Sequence, residues 1–383
     1  MEHRKKIRFG IIGLGLMGRE FASNVSRWCH LFSDSRIPEI TAICSGKNKE
    51  TWNWYRDNFP SIEIATFDYK ELLASEKVDA IYCAVPHNLH EQLYIDIIKS
   101  GKHLLAEKPF GINLQANEAI LRAMKANPGV FVRCSSEFPY FPGAQRLIKW
   151  LREKKYGRLM EVRTGFHHSS DMDLKKPINW KRQIETNGEY GCMGDLGLHV
   201  QHIPFRMGWK AKWVSADLLN IAQSRPDDNG NIVPCETWDN ATVTTRCIDP
   251  DNNHEFSMVF ETKRMSPGNT NTWFIEVYGT EGSARYTTHD PKAFWFIDTT
   301  EKEQGWTRID LGAQSAIPSV TGGIFEFGFS DAFQQMIGAF ILELDGKAIK
   351  HPFLCATAEE THLSHQVFTA ALESWKSGKR IAL

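Results

Sequence analysis

Three glycines, Gly13, Gly15 and Gly18, constrain this chain more than any other feature. They lie in residues 7–20, IRFGIIGLGLMGRE, where an apolar run of strand character breaks into G-x-G-x-x-G and passes into a helix-like segment. On that spacing the first glycine makes a tight turn and the second lets a pyrophosphate approach the backbone. The third lets helix and strand pack closely. The helix start adds unpaired amide hydrogens and the positive end of the peptide dipole. The segment therefore reads as a dinucleotide site with Gly13, Gly15, Leu16, Met17 and Gly18 around the phosphates. A kinase glycine loop is a poor match, because no H-R-D or D-F-G segment follows.

The rest of the chain fits that start. Strand-like runs (EITAIC, IEIATF, DAIYCAV, KHLLAE, GVFVRC) alternate with amphipathic segments to about residue 134, which implies a parallel sheet covered by helices on both faces. After SSEFPYFPG the texture changes to longer runs with period-two alternation, such as NATVTTRC and HEFSMVFETKR, the pattern of a sheet with one buried face. We therefore expect an α/β chain of two domains. Residues 1–137 form a Rossmann dinucleotide-binding domain, and residues 138–383 form an α+β domain with a mainly antiparallel sheet.

Composition excludes several classes. A formal net charge of −1 over 383 residues supplies no global basic field for nucleic acid. No run approaches the ~18 apolar residues of a membrane helix. The 8 cysteines are scattered without a C-x-x-C pair, the usage of a reduced, cytoplasmic protein. A small molecule is the expected partner.

Four places carry candidate chemistry. The second strand ends in AICSGKNKE, so Ser45 stands where NAD-binding proteins place a ribose-binding acid, with Lys47 and Lys49 following. A hydroxyl and lysines tolerate a 2'-phosphate, which leaves NAD and NADP both open. Lys108, in AEKPFG, follows the fifth strand at the carboxyl edge where ligands of such sheets bind. Asp195 and His199 stand four apart in GCMGDLGLHVQH, on one face of a helix, where a carboxylate orients or charges an imidazole. The same spacing also occurs in ordinary surface pairs. Cys192, His199 and His202 complete no standard metal ligand set, so no metal is expected.

Taken in order, GIIGLGLMG, DAIYCAVPHNLH, GKHLLAEKPFG, INWKRQ, GCMGDLGLHV and IEVYGTEGSARY are similar to the glucose-fructose oxidoreductase / inositol dehydrogenase / MocA family. The resemblance spans the chain and implies that residues 138–383 carry a large, mainly antiparallel open sheet for substrate binding and oligomerisation, with a nicotinamide at the junction of the two domains. It implies Lys108, Asp195 and His199 as catalytic residues. Pro86, Asn88, His90 and Glu107 would lie beside the cofactor, and Trp180 and Arg182 would touch substrate. Three departures are visible: His202 where the family often has an acid, SSEFPYFPG where it often has an arginine, and Ser45.

With these residues the expected activity is NAD(P)-dependent hydride transfer from a secondary hydroxyl of a sugar, polyol or sugar derivative. His167, His168, Lys175, Lys176, Lys181 and Arg182 could recognise an anionic sugar, or the lysines could belong to a solvated loop. The same machinery would serve a glycoside hydrolase that oxidises, eliminates, adds water and re-reduces with retained cofactor. A non-catalytic nucleotide sensor is disfavoured by the retained lysine, aspartate and histidine. The resemblance also implies a homodimer or homotetramer.

Overall fold

The computed structural model describes residues 4–46, 49–299, 302–312, 315–347, 349 and 353–383. The chain divides into two compact units, the first made of residues 1–111, 115–140 and 315–358, the second of 112–114, 141–314 and 359–383.

The first unit is built on six parallel strands among the described residues: β1 (Lys6–Ile12), β2 (Ile37–Cys44), β3 (Ile64–Thr66), β4 (Ala80–Cys83), β5 (His103–Ala106) and β6 (Val132–Cys134), in the order β3-β2-β1-β4-β5-β6. Strands β1, β4 and β5 are apolar runs with few polar interruptions because both sheet faces are covered. Register places the functional loops. Ile12 pairs with Cys44 and Cys83, and Ala106 pairs with Cys83 and Cys134, so the loops beginning at Gly13, Ser45, Ala84, Glu107 and Ser135 all leave one carboxyl edge.

The helix Phe329–Leu344 returns to this unit late in the sequence. Its Gln334 side-chain amide donates to the Asn24 and Arg27 carbonyls at the end of the Leu16–Ser26 helix, and Asp331 pairs with Arg27 at 2.7 Å. Phe340 and Phe333 join Phe9, Phe21 and Tyr82 in one aromatic core. Each such ring pair contributes about 0.5–1.5 kcal/mol beyond its buried area.

The second unit holds β7 (Leu159–His167), β8 (Lys210–Leu219), a small hairpin of β9 (Ser224–Pro226) and β10 (Ile232–Pro234), β11 (Asn240–Ile248), β12 (Glu255–Lys263), β13 (Thr272–Gly279), β14 (Gly282–Thr287), β15 (Ala293–Asp298), β16 (Thr307–Asp310) and β17 (Ile381–Ala382). Apart from the hairpin they form a nine-stranded sheet, β16-β15-β14-β13-β7-β12-β11-β8-β17. Every pairing in it is antiparallel except that of β7 with β12. Alternate residues of β11 and β12 are buried, as period-two patterning requires.

The buried face carries the helix Cys192–Arg206. Its sequence, CMGDLGLHVQHIPFR, sets one polar line, Asp195, His199, His202 and Arg206, among apolar and small residues, and residues 192–205 are all buried. The sheet ties it down: Thr164 Oγ1 donates to the Val200 carbonyl, Trp273 Nε1 to the His199 carbonyl, and Thr262 Oγ1 to Cys192 Sγ. Among the described residues no helix is long and apolar enough to cross a membrane.

Candidate active site

In the first unit the glycine loop has the geometry its spacing calls for. Gly13 has φ +95°, and a Cβ there would lie 2.1 Å from the Ala84 carbonyl oxygen. Only glycine fits that turn. A Cβ on Gly18 would come within 2.2 Å of the Gly13 carbonyl oxygen, so helix and loop touch through bare backbone. At Gly15 a Cβ would meet nothing within 4 Å, which leaves the backbone approachable. Gly15 also caps the Leu16–Ser26 helix, whose first turn holds no acidic residue to repel a phosphate. These features fit a bound dinucleotide. Leu16 is exposed and Met17 half-buried beside the loop.

Ser45, at the end of β2, is buried, and its N–H donates to the Thr66 carbonyl at 3.3 Å. Lys47 lies outside the described residues. Pro86 and Asn88 form the loop after β4, with Asn88 exposed, whereas His90 is fully buried. His90 is therefore a brace: its ring nitrogens face the Pro109 and Val85 carbonyl oxygens at 2.6 and 2.9 Å.

Glu107 is also buried, accepting from the Tyr82 hydroxyl at 2.7 Å, while its carbonyl accepts from the Tyr94 hydroxyl at 2.7 Å. Lys108, the next residue, is half-buried. Glu137, in the segment that departs from the family pattern, is a residue the sequence reading did not single out. Its burial, then the nearby Glu107 charge, pushes its carboxyl up to about 8. It lies three residues beyond β6, at the edge that also carries Lys108.

In the second unit Asp195 and His199 are 4 % and 3 % exposed, so they are not the surface pair that their spacing also allowed. The Asp195 carboxylate accepts from Lys181 Nζ at 2.9 and 3.1 Å and from Arg264 NH2 at 3.2 Å. Two cations thus hold a buried charge that would otherwise be costly. The His199 ring meets Phe166 edge to face, with centroids 5.5 Å apart. Phe166 also packs on His168, whose Nδ1 lies 3.0 Å from the Thr270 carbonyl oxygen. His168, Phe166 and His199 therefore share one side of the sheet. Trp180 is half-buried, with Lys181 Nζ 5.7 Å from its ring centre.

Two residues expected to touch substrate, Arg182 and His167, are engaged elsewhere. Arg182 is 0 % exposed, with its terminal nitrogens paired to Asp171 at 2.6 Å and to Asp239. It bolts the Trp180–Arg182 turn to the neighbouring loops and is not available to a substrate. His167 points to the opposite face of the sheet from Phe166 and His199, packing against Phe274 with its Nε2 2.9 Å from Glu261. His167, and after it Lys263, hold the Glu261 carboxyl down at about 2.

Lys181 and Arg264 are the partners that sequence reasoning missed for Asp195. Lys181 was visible only as one of several basic residues, and Arg264 carried no local signal. Lys176 is exposed and pairs with Asp171 at 3.7 Å, while Arg225 donates to the Asp171, Asp173 and Lys176 carbonyls. The basic loop is thus pinned from beneath.

His202 faces Glu360 at 3.3 Å, and Arg206 pairs with the same carboxylate. Burial lowers the His202 imidazole and raises the Cys192 thiol. Among the described residues no group of three or more His, Cys, Asp or Glu is arranged to hold a metal ion.

Residues 7–133 match the family model described as the GFO/IDH/MocA oxidoreductase family, NAD-binding Rossmann fold, and residues 144–285 match the GFO/IDH/MocA C-terminal domain. A levoglucosan dehydrogenase of Pseudarthrobacter phenanthrenivorans is 21% identical over 318 residues, 80% of this chain and 81% of that protein. A levoglucosan dehydrogenase structure in complex with NADH superposes with a TM-score of 0.86 at 19% identity, covering 99% of both chains, a likeness of fold.

A scyllo-inositol 2-dehydrogenase (NADP(+)) of Bacillus subtilis is 29% identical over 194 residues, 50% of this chain and 56% of that protein. A 2,7-anhydro-N-acetylneuraminate hydratase of Escherichia coli is 25% identical over 197 residues, 51% of this chain and 48% of that protein.

Proposed function

Because the chain belongs to the GFO/IDH/MocA oxidoreductase family, we propose that it transfers hydride between a nicotinamide and a secondary hydroxyl of a sugar, polyol or sugar derivative. The observation that carries this reading is the buried helix that presents His199 one turn beyond an Asp195 held by two cations.

Gly13, Gly15, Met17 and Gly18 would hold the dinucleotide phosphates, with Ser45 at the adenosine ribose. When bound, the nicotinamide supplies the hydride acceptor or donor. The protein supplies the proton and charge chemistry. His199 takes the hydroxyl proton as general base, a role suited to imidazole near neutral pH. Asp195, fixed by Lys181 and Arg264, orients that ring and stabilises its charged form. Lys108 stabilises the developing alkoxide. His168 and Trp180 are the candidate sugar contacts that remain open to this role.

The test is a panel of sugars and polyols with NAD+ and NADP+, monitored for reduced nicotinamide. Turnover of one secondary alcohol supports the reading, and none across the panel sinks it. Ser45 supports use of NADP as well as NAD. Ser45→Asp should lower kcat/KM for NADP+ relative to NAD+.

The hydratase relative favours a second reading, water addition or glycoside cleavage without net redox change. It requires turnover of a chromogenic glycoside with catalytic cofactor and no accumulation of reduced nicotinamide. We further propose a cytoplasmic location, supported by eight free cysteines and checked by cell fractionation, and a homodimer or homotetramer, supported by the family resemblance alone and checked by light scattering.

A further inference from the structure

His90 opens the His90–Lys99 helix and is fully buried. Its Nδ1 lies 2.6 Å from the Pro109 carbonyl oxygen, and its Nε2 lies 2.9 Å from that of Val85. Val85 is in the loop after β4, and Pro109 directly follows Lys108 in the loop after β5. One ring therefore spans two loops that leave the same sheet edge.

A carbonyl oxygen only accepts hydrogen bonds, and a neutral imidazole has one N–H and one lone pair. In either neutral tautomer one of these contacts would set a lone pair against an oxygen at hydrogen-bonding distance. The ring with hydrogen on both nitrogens satisfies both. Burial opposes its charge, whereas two charge-assisted hydrogen bonds favour it.

The titratable neighbours are Tyr94, stacked at 4.7 Å, His87, with ring centres 5.4 Å apart, and Glu107 and Lys108 in the gripped loop. Burial raises the Tyr94 hydroxyl well above its ordinary range, so it stays neutral.

We propose that His90 is held as a doubly protonated imidazolium that staples the loop after β4 to the loop after β5 and thereby positions Lys108. The positioning clause rests on the role given to Lys108 above; the protonation clause stands without it.

Neutron diffraction from crystals of the full, deuterated chain at neutral pH tests protonation directly. Deuterium on both ring nitrogens is expected, and a bare nitrogen overturns the proposal. This readout needs no substrate, so failure to find a reactive sugar leaves it intact.

Positioning is tested by a double-mutant cycle on the rate at saturating sugar and cofactor. His90→Asn has an amide too short to span both carbonyls and should lower the rate up to about 10²-fold, the scale of a misplaced catalytic group. On a Lys108→Ala background the same change should cost little. Equal losses on both backgrounds would overturn the positioning role. Should His90→Asn fail to fold, His90→Gln runs the same cycle.

Discussion

The candidate chemistry of the two units is made of different materials. The first unit offers backbone: a left-handed turn at Gly13, bare contact at Gly18, an approachable chain at Gly15 and a helix start. The second offers buried side-chain charge, with Asp195 between Lys181 and Arg264, and Arg182 between Asp171 and Asp239. A backbone site depends on residues close together in sequence. A charge site depends on residues far apart, and each member holds others in place.

The difference can be broken from either side. His199→Ala should have the largest effect, lowering kcat by about 10²–10⁴-fold as a lost general base does, with nucleotide affinity unchanged in a fluorescence titration. A comparable loss of nucleotide binding would contradict the division of labour. Arg182→Met leaves Asp171 and Asp239 buried without their partner and should cost about 3–5 kcal/mol of stability, measured by urea denaturation. Full activity in whatever fraction stays folded is compatible with its structural role.

Gly13→Ala forces a side chain into φ +95° and against Ala84, a strain of about 1–3 kcal/mol before the clash is counted. Calorimetric titration should show nucleotide affinity falling, while chemical-shift changes near His199 should be absent.

The smallest effect is a slope. Glu137 is raised from 4.5 to about 8, so the folded chain keeps a proton that the unfolded chain releases between those values. That contribution to stability is full below about 4.5 and is lost as pH rises toward 8. Glu137→Gln should remove it, making the variant gain on the wild type between pH 5 and pH 9 in denaturant midpoints. Parallel pH curves for the two proteins would show that Glu137 ionises normally.

The same contrast explains what the sequence disclosed. The glycine loop, the alternating sheet and the position of Lys108 after β5 were legible because strand, turn and helix preferences act over a few residues. Asp195 and His199 were legible as a helical pair, but the cations holding Asp195 were not. Arg264 is 69 residues away, just past β12, and meets it only because the Cys192–Arg206 helix packs on the sheet.

Arg182 looked like a substrate ligand because an arginine's sequence does not tell whether carboxylates such as Asp171 and Asp239 already occupy it. His167 was misjudged for a simpler reason: adjacent strand residues point to opposite faces, so His167 and His168 cannot serve the same side.

The late return of the Phe329–Leu344 helix to the first unit, and of Ile381–Ala382 to strand β8 of the second, bears on the order of events during synthesis. At roughly 5–20 residues per second, the glycine loop leaves the ribosome long before Phe333 and Phe340 arrive to complete the aromatic core behind it. The second unit likewise waits for its last strand. Neither can finish as an independent early-folding module, so the nascent chain must hold two partly assembled cores in solution at once. An interval of that kind is where chaperone dependence and aggregation are decided.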